Sequence, residues 1–240
     1  EGNNKEYSGK ELQFYSYSDP VIKNKIPLFT VKVGPGGNFK EEITINNTIY
    51  VFCDFGIYRG MLFLEHCKSI ELLLPPFREK SFADKKNPFF DPVEFWFLTG
   101  EGNNLNDKIS AFDIRLNQLT DQYFNQLYFR QSKEAFDSLR IILDQQFGDD
   151  VSEIFRLHKK LKLKSVETDA FRLHASKSSQ VLISVDPSAW IYPSFIELFE
   201  KIFANKLSFE DKSTHTGKIM EAVINSDTRY IEAYIKDKFL

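Results

Sequence analysis

The chain has 240 residues, 42% hydrophobic and 27% charged, with 24 Phe, 10 Tyr and a net charge of −3. It is long enough for one large domain or two small ones, and its composition excludes a largely disordered chain and the basic footprint that nucleic acid selects for. No run of about 18 apolar residues occurs, so no segment can cross a bilayer as a helix, and the polar start EGNNKEYSGK reads as a mature chain freed of a targeting segment or as a chain trimmed by cloning.

From Lys10 to about Leu98 the hydrophobic signal has period two: Leu12 and Phe14, then Phe29, Val31 and Val33, then Ile43 and Ile45. It continues through Ile49, Val51, Cys53 and Phe55 to Ile70, Leu72 and Leu74. Such alternation predicts strands with one side on a core and the other toward solvent. Turn residues punctuate them at Ser18-Asp19-Pro20, in the GPGGN run from Gly34 to Asn38, at Asn46-Asn47 and from Gly56 to Gly60. Closely spaced strands with such turns predict a β-sandwich. The GPGG run precedes an alternating strand, not a helix N-terminus, so it is read as a hairpin turn and not as a phosphate cradle.

Past Pro92 the period changes. PVEFWFL supplies a last strand, and GEGNNLND (100–107) ends in a helix start signal. Ile109, Phe112, Leu116, Leu119 and Tyr123 then recur at helical spacing, as do Phe136, Leu139, Leu143 and Phe147. Further stripes follow at Ile154, His158 and Leu161, at Phe195, Leu198, Phe199 and Ile202, and at Ile219, Val223 and Ile224. Gly148-Asp149-Asp150, ASKSSQ (175–180) and EDKSTHTG (210–217) read as loops, and SQVLISVDP as a short strand or an extended connector. The expected class is α+β: an antiparallel β-sandwich domain over 9–99, followed by an all-helical domain over 104–240.

Chemical signatures are sparse. His66, His158, His174 and His215 are scattered, with no ligand spacing for zinc, and no Gly-x-Ser-x-Gly elbow presents a nucleophile. Carboxylates are plentiful, but no pair stands out for acid-base work. Lys159, Lys160, Lys162 and Lys164 form a run that could attract acidic groups and reads more simply as a solvated helix face. Cys53 and Cys67, fourteen apart, match neither a Cys-x-x-Cys pair nor a zinc knuckle. They read as two buried apolar side chains, with a structural disulfide as the alternative. A hairpin turning near Ile57-Tyr58 would set Cys53 opposite Leu62 or Phe63 and leave Cys67 beyond disulfide reach, so free, poorly reactive thiols are expected. No cofactor or metal set is signalled. The prolines of NPFFDPVEFWF hold an aromatic-rich segment extended, making Phe89, Phe90, Phe95 and Trp96 the candidate interaction surface.

The order GKELQFYSYSDPVIKNKIPLFTVKVGPGGNFKEEITI, IYVFCDFGIYRGMLFLEHCKSIELLLPPF, KKNPFFDPVEF, LNDKISAFD resembles the amino-terminal, non-thioredoxin region of secreted thioredoxin-like thiol:disulfide oxidoreductases from Gram-negative gut-type bacteria. The likeness rests on Gly37-Asn38-Phe39, Leu74-Pro75-Pro76 and Asn87-Pro88-Phe89-Phe90, covers about 9–165 and is strongest over 9–92. Where that pattern has Glu-Pro-Gly this chain has Glu65-His66-Cys67, so Cys67 takes a turn glycine's place. The resemblance implies an exported chain, periplasmic or anchored at the outer membrane. It implies a noncatalytic accessory module that works beside a downstream thioredoxin-like domain or binds an extracytoplasmic protein or peptide partner. The Trp-Cys-x-x-Cys site of such proteins does not occur in this chain. The competing expectations are an enzyme with a site assembled from dispersed residues at the junction of the two domains, or a stand-alone binding lipoprotein.

Overall fold

The computed structural model describes residues 1–99, 104–148, 152–173, 175–209 and 215–239. The chain is α+β: the last strand ends at Thr99, and from Leu105 on the regular elements among the described residues are helices. It divides into two compact units, Glu1–Leu119 with Gln145–Arg156, and Thr120–Asp144 with Leu157–Leu240.

The first unit is built on an open five-stranded sheet. Its strands are β2 (Glu11–Tyr17), β3 (Lys25–Lys32), β5 (Ile49–Phe55), β6 (Tyr58–Leu64) and β8 (Val93–Trp96), in the order β3-β2-β5-β6-β8. Two short ladders accompany it, β1 (Gly2–Asn3) with β4 (Asn38–Phe39) and β7 (Leu72–Leu73) with β9 (Leu98–Thr99). The expected sandwich is not formed: the sheets are open, and β8 pairs with β6 in parallel. The parallel pairing follows from the path, because the chain leaves β6 at Leu64 and returns through a long crossover, containing the short helix α1 (Phe82–Lys86), to the Tyr58 end.

Three local expectations are corrected. Ile43 and Ile45 lie in irregular chain, and of the Ile70 to Leu74 segment only Leu72–Leu73 is strand. The Gly34–Asn38 turn closes with Gly34 N–H donating to Asn38 O at 2.9 Å, but it links β3 to β4, whose partner is β1, so it joins two sheets and not one hairpin. The β5–β6 hairpin turns on two residues, Gly56 and Ile57, which pairs Phe55 with Tyr58 and Cys53 with Gly60, not with Leu62 or Phe63. Gly56 has φ +53°, and an added Cβ there would lie 1.9 Å from Arg78 O. Only glycine meets both demands.

The central strands β5 and β6 are buried on both faces. On one, Leu12, Phe14, Val31, Val51, Cys53, Phe55 and Leu62 join Tyr7, Phe39, Leu72 and Phe97 in a single core. On the other, Tyr50, Phe52, Met61, Phe63 and Trp96 are buried. The expected solvent-facing side is therefore corrected for the central strand β5, because its alternate positions carry Tyr and Phe instead of polar residues. Helix α2 (Leu105–Gln122) begins at an Asn104 cap, whose Oδ1 accepts from Asp107 N–H at 3.1 Å. Asn106 then reaches β6: its Oδ1 accepts from Phe63 N–H at 2.6 Å and its Nδ2 donates to Phe63 O at 2.9 Å. Since β8 pairs only with Tyr58–Met61, this amide continues the ladder where no strand follows. Phe112 packs edge-on to both Phe147 and Phe155, at 5.5 and 5.8 Å.

One network ties all five strands at the hairpin end. Arg59 Nε donates to Asp54 Oδ1 at 2.7 Å, and Arg59 Nη1 reaches Tyr17 Oη at 3.0 Å and Glu94 Oε1 at 3.3 Å, while Lys25 pairs with Asp54. Burial pushes the Asp54 carboxyl up, but hydrogen bonds from Arg59 and Lys25 outweigh it and hold it below the usual range.

In the second unit α3 (Lys133–Phe147), α4 (Glu153–Ala170), α5 (Ala175–Ile183), α6 (Pro193–Phe209), α7 (His215–Ile224) and α8 (Thr228–Phe239) follow one another, α3 and α4 each giving one end to the first unit. Leu139, Leu143, Leu161, Leu198 and Ile202 are buried, as their spacing predicts. In α7 it is Ala222 that is buried, with Val223 and Ile224 exposed. SQVLISVDP is corrected: helix α5 covers ASKSSQ and runs to Ile183, and Asp186 then caps a short turn beginning at Pro187. His174 and most of EDKSTHTG, Glu210 to Thr214, lie outside the described residues, as do Asp149 and Asp150.

Candidate functional site

The first unit contains a cavity of about 480 Å³ against the sheet. Phe14, Phe29, Val31, Leu62 and Leu64 supply an apolar floor from three strands of the core face. Two irregular segments form its walls, Lys40 to Ile45 after β4 and Glu65 to Ile70 after β6. His66 Nδ1 lies 2.6 Å from Ile45 O and so ties one wall to the other. The polar groups sit on these walls. Glu65 Oε1 accepts from Lys68 Nζ at 2.8 Å, and Lys40 Nζ pairs with Glu1 Oε2 at 3.2 Å. Glu65 Oε2 is buried without a hydrogen-bond partner among the described residues.

Cys67 lines this cavity as an exposed free thiol in the left-handed region, φ +56°. Cys53 is also free but buried in the core, where desolvation pushes its thiol well above the usual range. The two cysteines are thus in opposite environments. The expectation that both are buried is corrected for Cys67: the Glu65–Lys68 turn, closed by Lys68 N–H on Glu65 O at 3.4 Å, lifts it off the sheet.

The four aromatics singled out from the sequence lie in different surroundings. Phe89 is 89% exposed, and Phe90 is half-buried with Lys80 Nζ 4.0 Å above its ring. Phe95 and Trp96, adjacent on β8, point to opposite faces: Phe95 meets Phe55, Tyr58 and Phe97, whereas Trp96 stacks on Phe63 at 5.6 Å. Trp96 Nε1 also donates to Asp113 Oδ2 at 3.0 Å.

The second unit holds a polar cluster between α4 and α6. Ser165 Oγ donates to Glu197 Oε1 at 2.8 Å and accepts from Lys201 Nζ at 2.6 Å, while Lys201 also pairs with Asp169 at 2.7 Å. Lys162 Nζ lies 2.7 Å from Glu197 Oε2. Burial pushes the Glu197 carboxyl up, yet Lys162 leads the charges and hydrogen bonds that keep it below its usual range. A serine beside a lysine suggests a nucleophile and its base. Here Ser165 is 1% exposed and Lys201 is bound to carboxylates, so the arrangement pins two helices. The solvated-face reading of the lysine run holds for Lys160, which is exposed, and is corrected for the other three: Lys159 pairs with Asp144, Lys162 with Glu197 and Lys164 with Glu167, all largely covered.

Among the described residues no three His, Cys, Asp or Glu side chains converge to hold a metal ion, and no helix is long and apolar enough to cross a membrane. The sequence signal that marks the cavity is the interruption of apolar alternation by KEE at 40–42 and by EHCKS at 65–69. No protein-family model matches the chain, nor does any curated protein or any solved structure.

Proposed function

We propose that this chain is a noncatalytic binding module, the accessory part of an exported thiol:disulfide oxidoreductase-like protein, and that the cavity on its sheet is the binding site. The observation that carries this reading is the apolar-floored cavity of about 480 Å³, within the 300–1,000 Å³ range typical of ligand sites. Its polar groups stand on the walls and leave the floor free of chemistry, an arrangement for holding a ligand and not for transforming one. The positive φ of Cys67 supports the family likeness, because that is the position where the resembling pattern places glycine.

The test is a titration with the neutral apolar fluorophore N-phenyl-1-naphthylamine. Saturable enhancement is expected, suppressed in Ile43→Trp, whose indole enters from the rim, and equally by alkylating Cys67 with a bulky maleimide. Thermal melts of both forms verify that the sheet is intact. Enhancement that does not saturate, or that both blocks leave unchanged in folded protein, overturns the assignment.

A further inference from the structure

We infer that the cavity receives an extended basic peptide, one large apolar side chain filling the pit while the peptide backbone runs along Glu41–Ile45. This rests on the cavity being the binding site and adds the chemistry of its occupant.

Charge is the first argument. Lys40 and Lys68, the lysines of the walls, are each matched by a carboxylate, Lys40 by Glu1 and Lys68 by Glu65, and the amino group of Glu1 is turned onto Ile70 O at 2.8 Å. Glu41 and Glu42 remain without an ion pair among the described residues, and both are exposed on the same wall. The wall charge is therefore acidic, and it favours a ligand carrying lysine or arginine beside its apolar group. A fatty acid or a phosphate-headed lipid would bring a negative group against it.

Backbone is the second argument. From Glu41 to Ile45 no N–H or C=O bonds to another backbone group among the described residues; the His66 contact to Ile45 O is this stretch's one polar tie. A segment with open donors and acceptors beside an apolar pit is what an added strand uses, main-chain bonds giving affinity and the pit giving side-chain selection.

The test uses calorimetric titration with acetyl-Lys-Thr-Phe-Val-Lys-Lys-amide, its Phe-to-Ala form and its Lys-to-Glu form, at two salt concentrations. The parent peptide is expected to bind, to lose about tenfold or more with Phe removed, and to weaken with salt. The double variant Glu41→Gln with Glu42→Gln is expected to weaken the parent peptide about fivefold and to reduce the salt dependence of its binding. Equal or tighter binding of the acidic peptide, or an unaltered affinity in the double variant, overturns the inference. If naphthylamine binds and responds to Ile43→Trp but no peptide binds, the cavity stays the binding site and the peptide inference falls; if neither probe binds, both fall.

Discussion

Cys67 shows how much one dihedral angle carries. An L-residue in the left-handed region costs about 1–2 kcal/mol relative to the right-handed one, while glycine loses about 0.5–1 kcal/mol more chain entropy on folding. Cys67→Gly should therefore leave stability unchanged or raise it by up to about 1.5 kcal/mol, measured by denaturant melts. A loss of stability would mean that the thiol packs in a way its exposure does not suggest. Thiol titration reads the same contrast: the folded chain should expose Cys67 alone to a disulfide reagent, and denaturation without reductant should expose both of its two cysteines. Gly56 is the opposite case, since Gly56→Ala combines a positive φ with a Cβ set 1.9 Å from Arg78 O. Its destabilisation should exceed ~1 kcal/mol, with the hairpin register at risk. The sequence marked Gly56 as a turn residue, but the close approach of Arg78 O that bars a side chain there is something no local pattern reports.

At the scale of elements, legibility follows from whether a face is apolar in sequence. The stripes of α2 and α3 were readable because Ile109, Phe112, Leu116, Leu139 and Leu143 sit at helical spacing and are buried. Helix α5 was not, because its buried face includes Ser178 and Ser179, and Ser178 Oγ meets Thr168 Oγ1 at 3.1 Å. A hydroxyl satisfied by a distant helix looks like a loop residue until the partner is known. Asn106 hid in the same way: its amide supplies two backbone bonds of β6 from inside a helix. Asn106→Leu should cost about 2–4 kcal/mol, because a buried N–H and C=O lose their partners together, and hydrogen exchange at Phe63 should accelerate. The Arg59 network was equally silent, with members as far apart as Tyr17, Lys25 and Glu94. Asp54 is held below the ordinary carboxylate range in the fold, so its contribution is fully present above the unfolded pKa near ~3.9. That contribution is lost as pH falls through the depressed folded value. Stability of the wild type should thus drop below about pH 4 more steeply than that of Asp54→Asn, which begins lower and lacks this acid-sensitive term; parallel acid limbs would remove Asp54 from the account.

For the molecule as a whole, the sequence conveyed the α+β class and the switch from strand to helix, since both depend on period alone. It did not convey an open sheet. Tyr50 and Phe52 alternate with Val51 and Cys53, so both faces of β5 demand cover, and that cover comes from elements whose placement no strand pattern encodes. The cavity leaves only a faint mark in the sequence, the polar breaks at 40–42 and 65–69, for a related reason: its floor is ordinary strand residues, and its walls are two stretches that fail to become strands. The consequence for redox chemistry is direct. A dithiol cycle needs a second thiolate to release the mixed disulfide formed by the first, and Cys53, buried with its thiol pushed up, cannot serve that role in the folded state. Glutathione disulfide should therefore give one stable adduct, at Cys67, with one glutathione thiol released, seen by intact mass. Insulin reduction by dithiothreitol should proceed at the uncatalysed rate in the presence of the chain. Turnover above that rate, abolished in Cys67→Ser, would mean that Cys53 becomes accessible during the reaction and that the core around it opens far more readily than its burial implies.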